Sequence, residues 1–344
     1  MALIIPKNYA NKLGDFATTE RAIKFVKDTF QRNLSEALNL LRVTASLTVQ
    51  SGMGLNDDLN GVEEPVSFFV KGIGARVEIV HSLAKWKRMK LAQMGMTAQA
   101  GIYTDMNALR PEEDLDNTHS IYVDQWDWER VVESSDRNLE YLREVVRAIY
   151  RALKDTENQL CEVYPQLTPQ LPEDIHFIHS QELLDCYPAL SPKEREDAVT
   201  KRYGAVFIIG IGGELSNGEK HDNRASDYDD WSSKNEDGYC GLNGDMLLWN
   251  ELLGHAFEIS SMGIRVDAEA LLRQTELRGE KHKLESEFHK ALLRGELPLT
   301  IGGGIGQSRL CMYLLQKAHI GEVQSSVWSS KDKQQLAQNG IFLM

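Results

Sequence analysis

Residues 300–310 read T-I-G-G-G-I-G-Q-S-R-L, with four glycines between 302 and 306 and an arginine at 309 that opens an apolar helical run. Bare backbone of this kind lets another group come close, often a phosphate. Two familiar phosphate loops can be tested against it. The dinucleotide fingerprint places glycines at i, i+2 and i+5. Counting from Gly302, the third place is Gln307; counting from Gly304, it is Arg309. The Walker A loop ends in Gly-Lys-Ser/Thr, and this loop has no lysine. What remains is Gly304-x-Gly306-x-x-Arg309: two bare backbone positions, then a cation one turn into a helix.

A second glycine stretch, G-I-G-G-E-L-S-N-G-E-K at 210–220, follows an apolar strand but puts Glu219 where a P-loop needs lysine. It is rejected as a nucleotide loop. The stretch I-Y-V-D-Q-W-D-W-E at 121–129 is more informative. Side chains alternate faces along a strand, so Ile121, Val123, Gln125, Asp127 and Glu129 share one face, and Tyr122, Asp124, Trp126 and Trp128 the other. Either the first face meets solvent over a packed aromatic layer, or Gln125, Asp127 and Glu129 line a polar cavity. The composition leaves both open.

The loop H-D-N-R-A-S-D-Y-D-D-W (221–231) is acidic, with Arg224 breaking the run. Beyond it lie Asp245, after a G-L-N-G turn, and Glu258, within A-F-E-I-S-S-M-G-I-R-V. A carboxylate in an apolar strand is costly unless paired or metal-bound. Together the two could hold a hard cation such as Mg²⁺, which takes carboxylates together with phosphate oxygens. In L-R-P-E-E-D (109–114), Arg110 precedes a proline and three acids. His176 and His179 lack the spacing of a zinc-protease helix and read as structural, with 180–182 as a helix start.

The chain has 344 residues, a 42% hydrophobic and 26% charged composition, and a net charge of −13. These are the proportions of a globular protein, and the charge disfavours a grip on nucleic acid. No apolar run approaches the roughly 18 residues of a membrane helix, and no secretory signal is expected at the N-terminus. Cys161, Cys186, Cys240 and Cys311 are widely spaced, so neither disulfides nor a zinc cage is expected, and the expected compartment is the cytoplasm. Periodicity predicts helices over 19–41 (apolar at Ile23, Val26, Phe30, Leu34, Leu38 and Leu41), 82–94 (capped by Ser82), 134–160, 267–293 and 308–317. Strands are expected over 43–49, 66–70, 76–81, 121–129, 205–211, 245–249 and 257–260. Early strands joined by short loops point to an α+β fold with an antiparallel sheet.

Taken in order, S-L-A-K-W-K-R, L-R-P-E-E-D, Y-V-D-Q-W-D-W-E, D-Y-D-D-W, G-L-N-G-D, F-E-I-S-S-M-G-I-R-V and I-G-G-G-I-G-Q-S-R-L resemble the ammonia-dependent asparagine synthetases, the A-type aspartate–ammonia ligases. The resemblance runs from about residue 18 to 328. It implies a class II aminoacyl-tRNA synthetase-like catalytic domain over 1–344, an antiparallel sheet flanked by helices, with no anticodon-binding or glutaminase domain. It further implies synthesis of L-asparagine from L-aspartate, ammonia and ATP through a β-aspartyl-AMP intermediate, with Mg²⁺ and no tRNA. A homodimer formed through 19–49 also follows from it. A tRNA ligase or a non-catalytic nucleotide-binding relative is the alternative; the first lacks a basic face here, and retained Arg110, Glu258 and Arg309 speak against the second.

The resemblance also assigns residues. Arg110 would meet the α-phosphate, and Arg309 the adenine and γ-phosphate, with Ser260, Ser261, Arg265, Gly302, Gly304 and Gly306 around the nucleotide. The metal would fall to Asp245, Glu258 and Ser261. Aspartate would meet Asp57, Ser82, Lys87, Gln125, Asp127, Arg224, Tyr228 and Asp229. Within that set Lys87 would pair with the α-carboxylate, Gln125 and Asp127 would take the ammonium group, and Asp57 would accept a proton from the nitrogen nucleophile.

Overall fold

Asp15 caps the first helix, α1 (Phe16–Leu38), its carboxylate accepting from the Thr18 N–H at 2.7 Å. Ile23, Val26, Phe30, Leu34 and Leu38 recur at helical spacing and are buried. The helix ends on Asn39, which adopts the left-handed conformation at φ 54°. Asparagine tolerates that region better than most residues. Leu41, expected to continue the apolar stripe, therefore falls in strand β1 (Leu40–Arg42) and is half exposed. The computed structural model describes residues 3–57 and 64–344.

Strands β2 (Thr48–Gln50), β3 (Ser67–Val70) and β4 (Ala75–Ile79) form a small antiparallel sheet in the order β2-β4-β3. Of the strand expected over 43–49, only positions 48 and 49 are strand, in β2; 43–47 are irregular. Helix α2 (Ala84–Gln93) begins after Leu83, which makes no side-chain cap. Ser82 does not cap it strongly; its hydroxyl donates to Asp57 Oδ2 at 3.0 Å. Then come the hairpin strands β5 (Gly101–Leu109) and β6 (Tyr122–Val131), and the long helix α3 (Leu139–Val163).

Strand β7 (His176–His179) leads into α4 (Ser180–Cys186), which His179 caps together with Glu182. Helix α5 (Pro192–Tyr203), β8 (Ala205–Ile209), β9 (Asn243–Asn250) and β10 (His255–Ile264) follow. The single helix expected over 267–293 is two: α6 (Ala268–Arg278) stops at Gly279, with φ 69°, and α7 (Glu287–Leu293) starts anew after a 3₁₀ turn. Strand β11 (Thr300–Gly306) runs directly into α8 (Gln307–Leu314), and α9 (Ser330–Ala337) lies near the end of the chain.

The large sheet has eight strands in the order β1-β5-β6-β11-β10-β9-β8-β7. Its interior pairs are antiparallel; only the outermost, β1 with β5 and β7 with β8, are parallel. Behind it α1 packs on α3, and Phe30 meets Trp126 with ring centroids 4.8 Å apart. Trp126 and Trp128 are completely buried in this layer, each stabilising the fold by about 2–3 kcal/mol through apolar burial. Among the described residues, no helix is long and apolar enough to cross a membrane.

Candidate active site

The face of β6 opposite the tryptophans carries Gln125 and Asp127, which line the floor of a cleft of about 440 Å³, and Glu129, which is fully buried beyond it. This decides between the two readings of the strand: its polar face is a cavity wall. Neighbouring β11 must be thin for that wall to exist. A Cβ on Gly304 would run into the Gln125 amide, and one on Gly302 into the Glu129 carboxylate. The glycines of 302–306 therefore admit side chains from the adjacent strand across their own backbone. Gly304 and Gly306 line the cleft, whereas Gly302 lies beneath the Glu129–Arg265 pair and is closed to a nucleotide.

Arg265 leaves the end of β10 and is held on two sides. Glu129 receives its Nε at 3.0 Å and Nη2 at 2.8 Å, and Asp229 receives Nη1. Burial alone would lower the guanidinium pKa, but Glu129 and Asp229 overcome this and raise it. Burial likewise pushes Glu129 up, yet Arg265 and Lys87 hold its carboxyl below the usual range. Asp229 stays raised because burial dominates there.

Lys87 departs from its expected place. It is fully buried, its ammonium paired with Asp127 and donating to the carbonyls of Trp128 at 2.8 Å and Gly303 at 3.2 Å. It stands behind Asp127 instead of facing the cleft, so it orients that carboxylate and does not reach a substrate group. The Leu83 N–H donates to the other oxygen of Asp127 at 3.1 Å.

At the opposite end the cations are far less committed. Arg110 follows β5, its N–H closing the hairpin onto the Ile121 carbonyl at 2.8 Å. Among the described residues its guanidinium comes no nearer to an acid than 3.9 Å, at Glu113. Arg309, in the first turn of α8, donates to the Glu258 carbonyl at 3.1 Å and lies 6.0 Å from the Phe257 ring centroid. The loop between β5 and β6 is tied by Asp116, which accepts from the Thr118 and His119 N–H groups and meets His119 Nδ1 at 2.9 Å. These contacts hold the Asp116 carboxyl far below its usual range despite burial.

Strand β10 carries a bulge: Glu258 opposes Leu247 but Ser260 opposes Met246. The extra residue, Ile259, inverts the alternation. Glu258 and Ser261 both face the cleft, while Ser260 turns with Met262 and Ile264 toward the core. Ser260 is thus removed from the expected nucleotide wall. Asp245 is cross-strand to Ser261, beneath Arg224, with which it forms an ion pair. Burial and the Glu258 charge push Asp245 up to about 7 against the pull of Arg224. Asp57, Ser82, Tyr228 and Asp229 complete the far wall. Sequence reasoning missed His81 and His119, both cleft-lining. The only trace of either was a histidine beside a serine at a strand end.

The family profile described as aspartate-ammonia ligase matches residues 17–340. The chain belongs to the aspartate–ammonia ligase family. It is 57% identical to the aspartate–ammonia ligase of Parabacteroides distasonis, covering 99% of both chains. It is 58% identical to that of Clostridium tetani, over 95% of this chain and 93% of the relative. In three dimensions this aspartate–ammonia ligase family member resembles asparaginyl-tRNA synthetase from Pyrococcus horikoshii complexed with asparaginyl-adenylate. The TM-score is 0.65 at 15% identity, over 89% of this chain and 68% of that one. The likeness establishes a class II aminoacyl-tRNA synthetase-like fold, α+β with an antiparallel interior.

Proposed function

We propose that the protein makes L-asparagine from L-aspartate and ammonia, with ATP activating the β-carboxylate as an aspartyl-adenylate. The observation that carries this is the polarity of the cleft in a member of this family. Arg110 and Arg309 stand at one end with little acid about them, and Gln125, Asp127 and Asp57 gather at the other. A triphosphate suits the first end and an amino acid with its ammonium group the second.

The β-carboxylate oxygen attacks the α-phosphorus, and the bond to pyrophosphate breaks. Ammonia then attacks the acyl carbon; the C–N bond forms, the C–O bond to AMP breaks, and AMP leaves with the electron pair. A free carboxylate oxygen is a poor leaving group, which is why activation is needed. The protein contributes position and fixed charge. Arg110 offsets charge at the α-phosphorus, and Arg309 orients the outer phosphates over Gly304 and Gly306. Gln125 and Asp127 receive the substrate ammonium, with Lys87 holding Asp127 in place. Arg224, Tyr228 and Ser82 border the amino acid. Asp229 and Arg265 brace that wall, and Asp57 offers an acceptor to the incoming nitrogen.

The donor set also suits Mg²⁺. Glu258, Ser261 and Asp245 share one face, and burial, with the Glu258 charge nearby, raises the Asp245 carboxyl even beside Arg224. Bound there with phosphate oxygens, the ion would offset the charge of the triphosphate. We read the chain as one catalytic domain acting in the cytoplasm without tRNA, consistent with its net charge of −13. Half-exposed Leu41 and Leu47 support a homodimer through 19–49. Sedimentation as a monomer would remove that part.

Incubation with aspartate, ATP, Mg²⁺ and ammonium tests the whole reading. Asparagine and AMP are expected together, with glutamine unable to replace ammonium. ADP in place of AMP would rule out the adenylate.

A further inference from the structure

Among the described residues, three cleft-lining side chains carry a buried polar atom without a hydrogen-bond partner: Arg110 Nε, Arg224 Nε and His81 Nε2. The two arginine nitrogens are donors, and phosphoryl or carboxylate oxygens answer them. His81 is different, and its role follows from its other nitrogen. Nδ1 lies 3.1 Å from the Asp57 carbonyl oxygen. A carbonyl only accepts, so Nδ1 carries the hydrogen and Nε2 of the neutral ring is left with a lone pair. The ring is fully buried, and its backbone N–H is pinned to Asn56 Oδ1 at 2.8 Å. It is therefore a fixed, buried acceptor at the edge of the cleft, in need of an N–H or O–H donor, and an unmet acceptor in such a place is costly.

We propose that His81 Nε2 receives the ammonia nucleophile and takes its proton. The proposal rests on the asparagine-forming reading and deepens it. Among the reactants, N–H donors are the aspartate ammonium group, the adenine amine and ammonia. The first is met by Gln125 and Asp127, and the adenine belongs with Arg309 at the other end. His81 instead shares a corner with Asp57, whose Oδ2 is oriented by the Ser82 hydroxyl at 3.0 Å. His81 and Asp57 thus bring two acceptors from neighbouring segments to one wall of the cleft. As the nitrogen lone pair forms the C–N bond, the acyl C–O bond breaks and its electrons leave on the AMP phosphate oxygen. One N–H proton passes to Nε2, and the imidazolium later releases it to water. Asp57 accepts from a second N–H and steadies the cation.

The test separates the two half-reactions. His81→Asn keeps a side-chain N–H for the Asp57 carbonyl but removes the acceptor. It should leave aspartate-dependent ATP–pyrophosphate exchange within about threefold of the parent. It should also lower kcat/KM for ammonium by about 100-fold, the scale of a lost general base. Hydroxylamine, a nucleophile whose adduct loses its proton more readily, should recover most of that rate. His81→Gln, whose amide oxygen can stand where Nε2 stands, should recover part of it with ammonium. Exchange and ammonium kinetics falling together, or ammonium kinetics left unchanged, would overturn the assignment. Equal losses in the Asn and Gln variants would do the same. A parent protein without aspartate-dependent exchange would instead overturn the adenylate reading, and this one with it.

Discussion

Arg265 and Arg110 line the same cleft, yet they are different kinds of cation. Arg265 is buried between Glu129 and Asp229, its charge met by the protein. Arg110 is about a quarter exposed and, among the described residues, has an acid only at 3.9 Å. A cation already neutralised by its own chain holds the wall together. One left short of partners is kept for a ligand. Lys87 belongs with Arg265, and Arg309 with Arg110. The contrast teaches that proximity to a cleft does not by itself make a charged side chain a binding residue.

Substitution can break this division. Arg265→Met strips buried Asp229 of its ion-pair partner and leaves Glu129 with Lys87 alone, at 3.6 Å, and should cost about 3–5 kcal/mol of stability in a denaturant titration. A stable variant with impaired binding would move Arg265 to the ligand class. Arg110→Met should leave stability within about 0.5 kcal/mol while lowering ATP–pyrophosphate exchange by about 100- to 1,000-fold. Unfolding in place of lost exchange would reverse the comparison. The subtlest test is acid. The folded pKa of Glu129 lies below its ordinary 4.5, so its ion pairing contributes stability above that pH. The contribution is lost as pH falls through the lowered folded value. Glu129→Gln should flatten that part of the acid-unfolding curve, and an unchanged slope would show that the pair contributes little.

How much of this was readable in advance depended on how far apart the interacting residues lie. The stripe of α1, the alternation of β6 and the apolar run of α8 are local, and they stood in the sequence; the glycine stretch before α8 read as a loop and is strand β11. Gly279 also stood there, but a single glycine within a long periodic run does not by itself say that the helix ends. The commitment of Lys87 could not be read, because its partners lie 40 residues away at Asp127 and 216 away at Gly303. The glycines of β11 were legible as close approach and illegible as to what approaches. Part of the answer is the side chains of β6. Arg110 and Arg309 were singled out by the family resemblance of their motifs, since the three acids after Arg110 make that stretch by itself read as surface.

The bulge at Ile259 makes the cleft depend on a count as well as on residue types. Glu258 and Ser261, three positions apart, reach the same space only because the bulge absorbs the odd residue between them. Straightening the bulge at its present length would turn Ser261 to the core side without altering the identity of any cleft residue. A survey of related chains that scores substitutions alone would see an intact site where the hydroxyl had been turned away.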